Sequence, residues 1–307
     1  MRAFFLWMSH NTFLRRLLMG LGFARRAARR FVAGETIDAA IGAIRALNAN
    51  GIFATVDHLG ENVETEAHAR RAADDYLAVL DRIGQAEVQS HASLKLTQLG
   101  LDIGVEFCRA NVARVLCQAQ AVGTFIRIDM EASDYTDRTL QVYRDLRAEF
   151  GNVGIVIQSY LYRSQDDIAA LCAEGANVRL CKGAYQEPPD RAFPNKADVD
   201  ASYIALTQML LSAAARAHGA YAAIATHDPK MIAAAKAYAA EHNVPRDRFE
   251  FQMLYGIRRD LQQQLAQAGY RMRVYVPYGA EWYPYFMRRL AERPANVWFV
   301  LRNLFRG

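Results

Sequence analysis

GIVIQSYLYRSQDDIAALCAEGANVRLCKGAY, residues 154–185, carries two apolar, β-rich runs, Gly154–Leu161 and Val178–Tyr185, on either side of a helix-length segment. Each run has the length of a buried strand, and a strand–helix–strand unit of this kind implies a parallel pair. Working outward, the same rhythm recurs at Ile52–Leu59, Ala92–Leu99, Phe125–Glu131, Ala222–Asp228, Phe249–Tyr255 and Met272–Tyr278. The stretches between them read as helices, 65–83 and 201–218 most clearly. Eight such units in about 250 residues predict an α/β chain folded as a (β/α)8, TIM-like barrel rather than an open doubly wound sheet. No GxGxxG follows any of the runs, so a Rossmann-type dinucleotide site has no support. No low-complexity linker interrupts the rhythm. The expected division is therefore a basic helical arm over residues 1–45 and one barrel domain over 46–307.

Composition sets the outer bounds. The chain has 307 residues, 52% hydrophobic and 22% charged, ample for one large core. Its net charge of +5 is unevenly spread: residues 1–34 hold seven arginines and no acid, and the rest is close to neutral. A nucleic-acid binder would be basic over its body, so that class is disfavoured. In the arm, Leu6, Phe13, Leu14, Leu17, Leu18 and Leu21 form an apolar face broken by Arg15/Arg16 and Arg25/Arg26. It reads as an amphipathic helix, too charged to span a bilayer, which either packs on the body or meets an anionic membrane surface. The same composition is also that of an organelle transit peptide. Cys108, Cys117, Cys172 and Cys181 form no CxxC pair, which excludes a disulfide framework or zinc site and fits a reducing compartment.

In a barrel of this type chemistry gathers at the C-terminal ends of the strands, so polar residues there are informative. The second run carries Lys95, Arg127, Asp129 and Glu131 alternate through the third, and Gln158, Tyr160, Tyr162 and Arg163 end the fourth. Arg179, Lys182 and Tyr185 mark the fifth, Thr226-His227-Asp228 the sixth, and Tyr275 and Tyr278 the eighth. At period two, Arg127, Asp129 and Glu131 share a face, where charge is costly unless paired or functional. Arg127 with Glu131 as a structural ion pair, His227 as a satisfied core histidine, and Lys95 as the Schiff-base lysine of an aldolase all remain open. A metal-dependent hydrolase would need clustered histidines, and His58 and His227 stand apart. After Gly279, Tyr285, Arg288, Arg289 and Glu292 fall at i, i+3, i+4 and i+7 of a helix. One helical face then presents two guanidinium groups with a counter-ion, among Trp282, Tyr283 and Phe286, a fork suited to bidentate capture of a carboxylate.

With those residues in hand, the chain resembles the proline dehydrogenase family from about Ala54 to Asn296. The likeness is carried, in family order, by SLKLTQLG, RIDME, VIQSYLYRS, VRLCKGAY, ATHD, EFQMLYGIR and RVYVPYG followed by YFMRRLAERPAN. It implies a distorted (β/α)8 barrel holding FAD. It implies oxidation of L-proline to Δ1-pyrroline-5-carboxylate, by hydride transfer from C5 to flavin N5, with a membrane quinone taking the electrons. A chain of this length leaves no room for the aldehyde dehydrogenase domain of bifunctional relatives, so a monofunctional enzyme is expected.

The resemblance also implies roles. Arg288, Arg289 and Lys95 would clamp the proline carboxylate, with Glu292 orienting the arginines. Tyr275, Tyr285, Leu254 and Tyr185 would surround the pyrrolidine ring. Asp129 and Arg179 take the catalytic positions, Asp129 in an ion-pair network and Arg179 at the flavin's reactive edge. Met130, Gln158 and Arg163 would lie by the isoalloxazine, and Lys182, Gly183, Ala184, Thr226 and His227 along the ribityl and phosphate portion. Position 186 is Gln where some relatives carry an aromatic. No general base stands out. The arm would bring a cytoplasmic protein to the inner face of the membrane. The hard chemistry belongs to the cofactor, which accounts for a site rich in arginines and aromatics and without a nucleophile–base pair.

Overall fold

The computed structural model describes residues 28–60 and 63–292, with side chains up to residue 287. The arm as far as residue 27 lies outside the described residues. Helix α1 (Ile37–Asn48) leads into β1 (Phe53–His58), α2 (Glu66–Ala86), β2 (Ser90–Leu94), α3 (Val105–Ala121), β3 (Ile126–Ile128) and α4 (Thr136–Arg147). There follow β4 (Val153–Gln158), α5 (Ser164–Ala173), β5 (Asn177–Cys181), α6 (Lys196–Leu211), the short α7 (Ala213–Ala217), β6 (Tyr221–Ala225) and α8 (Pro229–Glu241). Last come β7 (Phe249–Leu254), α9 (Arg259–Gln267), β8 (Met272–Tyr278) and α10 (Trp282–Glu292). The strands pair in parallel in chain order, and β8 closes on β1 from Phe53↔Arg273 to His58↔Tyr278. This is the expected (β/α)8 barrel.

Local causes are legible in the elements. Helix α2 begins at Thr65, whose hydroxyl accepts the His68 N–H, and buries Ala69, Ala72, Ala73, Tyr76, Val79, Leu80 and Ile83. That stripe at helical spacing gives the outer wall an apolar face toward the sheet. Strand β4, VGIVIQ, is buried at all six positions because helices cover one side and the barrel interior the other. Several expected runs extend beyond their strands: β2 stops at Leu94 and β5 at Cys181. Leu96 and Leu99, past the end of β2, are still fully buried, so apolarity continues where strand pairing has ended.

The interior of the barrel is polar rather than aliphatic. Arg127, Arg179, Arg273, Glu250, Gln252, Ser93 and Thr55 are all buried. Arg127 does not pair with Glu131: its Nη1 donates to Asn177 O at 2.6 Å and Ile155 O at 3.1 Å, and its Nη2 to Asn177 Oδ1 at 2.5 Å. Room for that guanidinium comes from Gly154 on the neighbouring strand, where a Cβ would lie 2.5 Å from Arg127 Nη1. Burial lowers the Arg127 guanidinium to about 9. Strand β3 ends at Ile128, so the expected alternation does not reach Glu131, which folds back to accept from Thr97 Oγ1 at 2.6 Å.

The boundary expected at residue 45 falls inside α1, which packs against β8 and β1. It covers the seam where a regular barrel carries its last helix, while α10 moves to the mouth. There Phe31 is fully buried with Leu59, Ile257, Trp282, Tyr283, Phe286 and Met287. Ala33 N–H donates to Pro277 O and Gly279 N–H to Gly34 O, both at 2.9 Å, so residues 28–34 are laced into the barrel mouth.

Candidate active site

A cavity of about 530 Å³ opens at the C-terminal ends of the strands. Its floor is an ion network drawn from six strands and strand ends, those of β1, β2, β3, β5, β7 and β8. At the end of β1, Asp57 accepts from Lys95 Nζ at 3.2 and 3.4 Å. The same ammonium lies 3.9 Å from Asp129 Oδ2. Asp129 Oδ1 accepts from Arg179 Nη1 at 2.8 Å and Ser93 Oγ at 3.2 Å, and Oδ2 accepts from the Tyr275 hydroxyl at 2.8 Å. Arg179 crosses the barrel axis to donate from Nε to Gln252 Oε1 at 2.6 Å, with its guanidinium carbon 5.2 Å from the centre of the Tyr275 ring. Below it Gln252 donates to Glu250 at 2.5 Å, and Glu250 accepts from Arg273 Nε at 2.8 Å. Every buried charge in this column thus has a partner, the condition under which a barrel core tolerates ions.

Electrostatics follow from that packing. Burial pushes the Asp57 carboxyl up; Lys95 opposes this, and the charge of Asp129 adds to it. Burial acts on Glu250 in the same sense, but the charge and hydrogen bond of Arg273, with the Gln252 hydrogen bond and the Arg127 charge, together outweigh it and hold that carboxyl below its ordinary range. The Tyr275 hydroxyl is raised well above its ordinary range by burial and then by the two aspartates, so it remains a proton donor.

Of the sequence-stretch candidates, Lys95, Asp129, Met130, Gln158, Arg179, Lys182, Gly183, Ala184, Tyr185, Thr226, His227, Leu254, Tyr275 and Tyr285 all line the cavity. Gln158 is held by donating to Glu131 O at 2.7 Å, and His227 by accepting the Leu254 N–H on Nε2 at 2.9 Å. Arg163 is not brought in: it is paired with Asp167 at 2.8 Å and Asp137 at 2.6 Å and does not line the cavity. Being the residue just before α5, it points to Asp167 in that helix's first turn and to Asp137 in the first turn of α4 rather than back over the strand end. Arg288, Arg289 and Glu292 follow Tyr285 within α10, which is helical as their spacing requires, but their side chains lie outside the described residues.

Sequence reasoning passed over Asp57, Gln252, Glu250 and Arg273. Asp57 did leave a signal, a carboxylate two residues after Thr55 in an apolar strand. Also missed was a cluster beside Lys182, whose ammonium bonds Asp200 at 2.5 Å and Asp228 at 3.0 Å, with Lys196 joined to both acids. A second cavity of about 650 Å³, enclosed by the 185–195 loop and Tyr160, shares Lys182, Gly183, Tyr185 and Lys196 with the first.

Comparison with known proteins agrees with this geometry. The family model described as proline dehydrogenase matches residues 40–302. Proline dehydrogenase 1 of Bacillus subtilis (strain 168) is 43% identical over 306 residues, covering 100% of this chain and 99% of the relative. Proline dehydrogenase of Deinococcus radiodurans is 45% identical over 285 residues, covering 91% and 90%. Among solved structures, proline utilization A from Bdellovibrio bacteriovorus, inactivated by N-propargylglycine, superposes with a TM-score of 0.80 at 29% identity. That match covers 87% of this chain and 32% of the longer protein. With relatives above 40% identity over nine tenths or more of their length, and a cavity lined by residues from all seven motifs, the chain belongs to the proline dehydrogenase family.

Proposed function

We propose that the chain oxidises L-proline to Δ1-pyrroline-5-carboxylate with FAD as the bound acceptor, as a monofunctional enzyme. The observation that carries this reading is that two adjoining cavities share Lys182, Gly183, Tyr185 and Lys196 as lining, which together offer room for a long ligand. Two features test the fit to a flavin dinucleotide. Arg179 Nη2 is buried at the cavity floor and has no hydrogen-bond partner among the described residues, leaving one guanidinium donor for a ligand acceptor. Gly183 has φ +116°, and a Cβ there would lie 2.4 Å from the Tyr160 ring, so only glycine lets the backbone run this close to that ring in the wall the two cavities share. The residues fit the group.

In this reading Met130, Gln158 and Arg179 hold the ring end, Lys182, Gly183, Ala184, Thr226 and His227 hold the ribityl and phosphate portion, and Arg163 has no part. When bound, the flavin supplies at N5 the acceptor for the hydride leaving proline C5. The chain's own residues do the rest. Lys95, with Arg288 and Arg289 on α10, neutralises the proline carboxylate, and Glu292 orients the two arginines. Asp129 fixes Arg179 and the Tyr275 hydroxyl, so both keep one geometry as substrate exchanges. Tyr185, Leu254, Tyr275 and Tyr285 enclose the ring and exclude water, which strengthens each ion contact. Lys95 is already engaged by Asp57, an arrangement that suits a cationic clamp better than a Schiff-base nucleophile.

The visible spectrum of the purified protein tests the reading. A flavin band bleached anaerobically by L-proline is expected; a protein colourless after reconstitution with FAD overturns it. We further propose reoxidation by a membrane quinone, with the basic arm making peripheral contact at the cytoplasmic face. Among the described residues no helix is long and apolar enough to cross a membrane. Because Phe31 is buried at the barrel mouth, the deletion that tests the arm is 1–27, and unchanged partition onto anionic liposomes would remove that role.

A further inference from the structure

We propose that Asp57 is the general base of the reaction, taking the amine proton of proline at the cavity floor; this rests on the reaction read above. Proline arrives as a secondary ammonium, and hydride can leave C5 only when the nitrogen lone pair is available to form the C5=N bond. One N–H proton must therefore go first, and among the described residues the cavity offers four carboxylate or imidazole groups to take it: Asp57, Asp129, Asp228 and His227. His227 Nε2 already accepts the Leu254 N–H. Asp228 accepts the Lys230 N–H as the cap of α8 and is paired with Lys182 and Lys196. Asp129 receives Arg179, Ser93 and Tyr275, with Lys95 near as well, so its lone pairs are spent on strong donors.

Asp57 is the least committed of the four. It is 1% exposed and lines the cavity; it accepts from the Lys95 ammonium at 3.2 and 3.4 Å, and the nearby Tyr275 hydroxyl donates to Asp129. The groups around it are Lys95 from the end of β2, Asp129 beyond β3, Arg179 on β5 behind Asp129, and Tyr275 on β8. On its outer side stand Tyr76 of α2, Tyr278 of β8 and His58 stacked on Tyr278. The two carboxylates in the pocket differ in their contacts. Asp129 is held by Arg179 at 2.8 Å, Tyr275 at 2.8 Å and Ser93 at 3.2 Å, whereas Asp57 has the looser contacts to Lys95 at 3.2 and 3.4 Å and so the oxygen freer to exchange a proton. Burial and the Asp129 charge raise Asp57, toward the operating range of a base.

The step balances. A carboxylate oxygen of Asp57 gains the N–H proton and the nitrogen keeps the pair. That pair forms the C5=N bond as the C5–H pair departs with its hydrogen to the flavin acceptor. The iminium then sheds its remaining N–H proton to water as Δ1-pyrroline-5-carboxylate, and Asp57 returns its own proton to solvent before the next turnover.

The test is Asp57→Asn in the flavin-loaded enzyme, with anaerobic flavin bleaching by L-proline followed across pH. At neutral pH kcat/KM is expected to fall by about 10²–10⁴-fold, the usual worth of a general base. The remaining activity should climb about tenfold per pH unit, tracking the small fraction of uncharged amine. Cyclopentanecarboxylate, which has the acid and the ring but no amine, should bind the variant within about threefold of wild type. Asp57→Glu should recover part of the rate. An unchanged pH profile overturns the proposal, and so does a parallel loss of cyclopentanecarboxylate affinity, which would make Asp57 only the support of Lys95. Should the variant fail to fold, the wild type decides: its bleaching rate at saturating proline must show an acid limb above the ordinary carboxylate range of about 4, and a flat profile down to about pH 5 refutes the base. A wild type that L-proline does not bleach sinks the reaction itself; a bleached wild type beside a variant with an unchanged profile sinks only the base.

Discussion

Replacing Glu250 with Gln probes the column of ions beneath the site most directly. Glu250 is 2% exposed and Arg273 3%, and the carboxylate accepts both from Arg273 at 2.8 Å and from Gln252 at 2.5 Å. The variant leaves the Arg273 guanidinium with Ala54 O at 2.7 Å and no counter-charge, because Arg127 and Arg179, the nearest other ions in the column, are of the same sign. Removing one partner of a buried pair costs about 3–5 kcal/mol, against about 0–1 for an exposed pair. Urea unfolding of wild type and variant at neutral pH should therefore show a lower midpoint at unchanged slope. Exchanging both partners, Glu250→Leu with Arg273→Met, should recover much of the loss, since no unpaired charge is then buried. The pH dependence has a definite sign. Glu250 is held below its ordinary range when folded, so its stabilisation is present above the unfolded value of about 4.3 and is lost as pH falls through the folded value. The gap between wild type and Glu250→Gln should thus narrow in acid. A neutral-pH cost under about 1 kcal/mol, or a gap that widens in acid, would refute the account of a charge-compensated barrel interior.

Other outcomes follow from the same geometry. Gly183→Ala, with a Cβ 2.4 Å from the Tyr160 ring at φ +116°, should cost about 1–3 kcal/mol and release flavin on dialysis, read as the A450/A280 ratio. Arg163→Ala should keep its flavin, because its partners Asp137 and Asp167 stand outside the cavity, and lose about 1–3 kcal/mol in thermal unfolding, because Asp167 is buried and loses the guanidinium it accepts from. Arg288→Lys or Arg289→Lys should raise the KM for proline at least tenfold while the flavin stays bound, since an ammonium cannot reproduce a bidentate guanidinium contact; flavin loss instead would show that α10 serves the cofactor.

Much of this protein was legible along the chain. The eight strand positions follow from short apolar runs separated by helix-length segments, a local signal that needs no partner to be seen. Lys95, Asp129, Gln158, Arg179, Lys182, His227 and Tyr275 could be named because barrel topology assigns strand ends to one face, whereas Met130, Gly183, Ala184 and Leu254 came only with the family resemblance. The helical phase of Tyr285 and Glu292 is likewise a property of one segment, and α10 is a helix across it. Strand ends were less well drawn, because Leu96 and Leu99 stay buried after pairing stops and hydrophobicity registers burial, not hydrogen bonding.

Partnership was decided only by closure of the barrel. Arg127 is matched to Asn177 and not to Glu131, Asp57 to Lys95 across 38 residues, and Arg179 to Gln252 across 73. Arg163, polar and beside a strand end, was drawn away by Asp167 one helical turn on. The packing of Phe31 against α10, which makes residues 28–34 part of the barrel mouth, has no trace in local periodicity either. Element identity is written in neighbours along the chain, whose spacing the backbone fixes. Which charge neutralises which depends on the register and tilt of strands far apart in sequence, and those are set when the eighth strand meets the first.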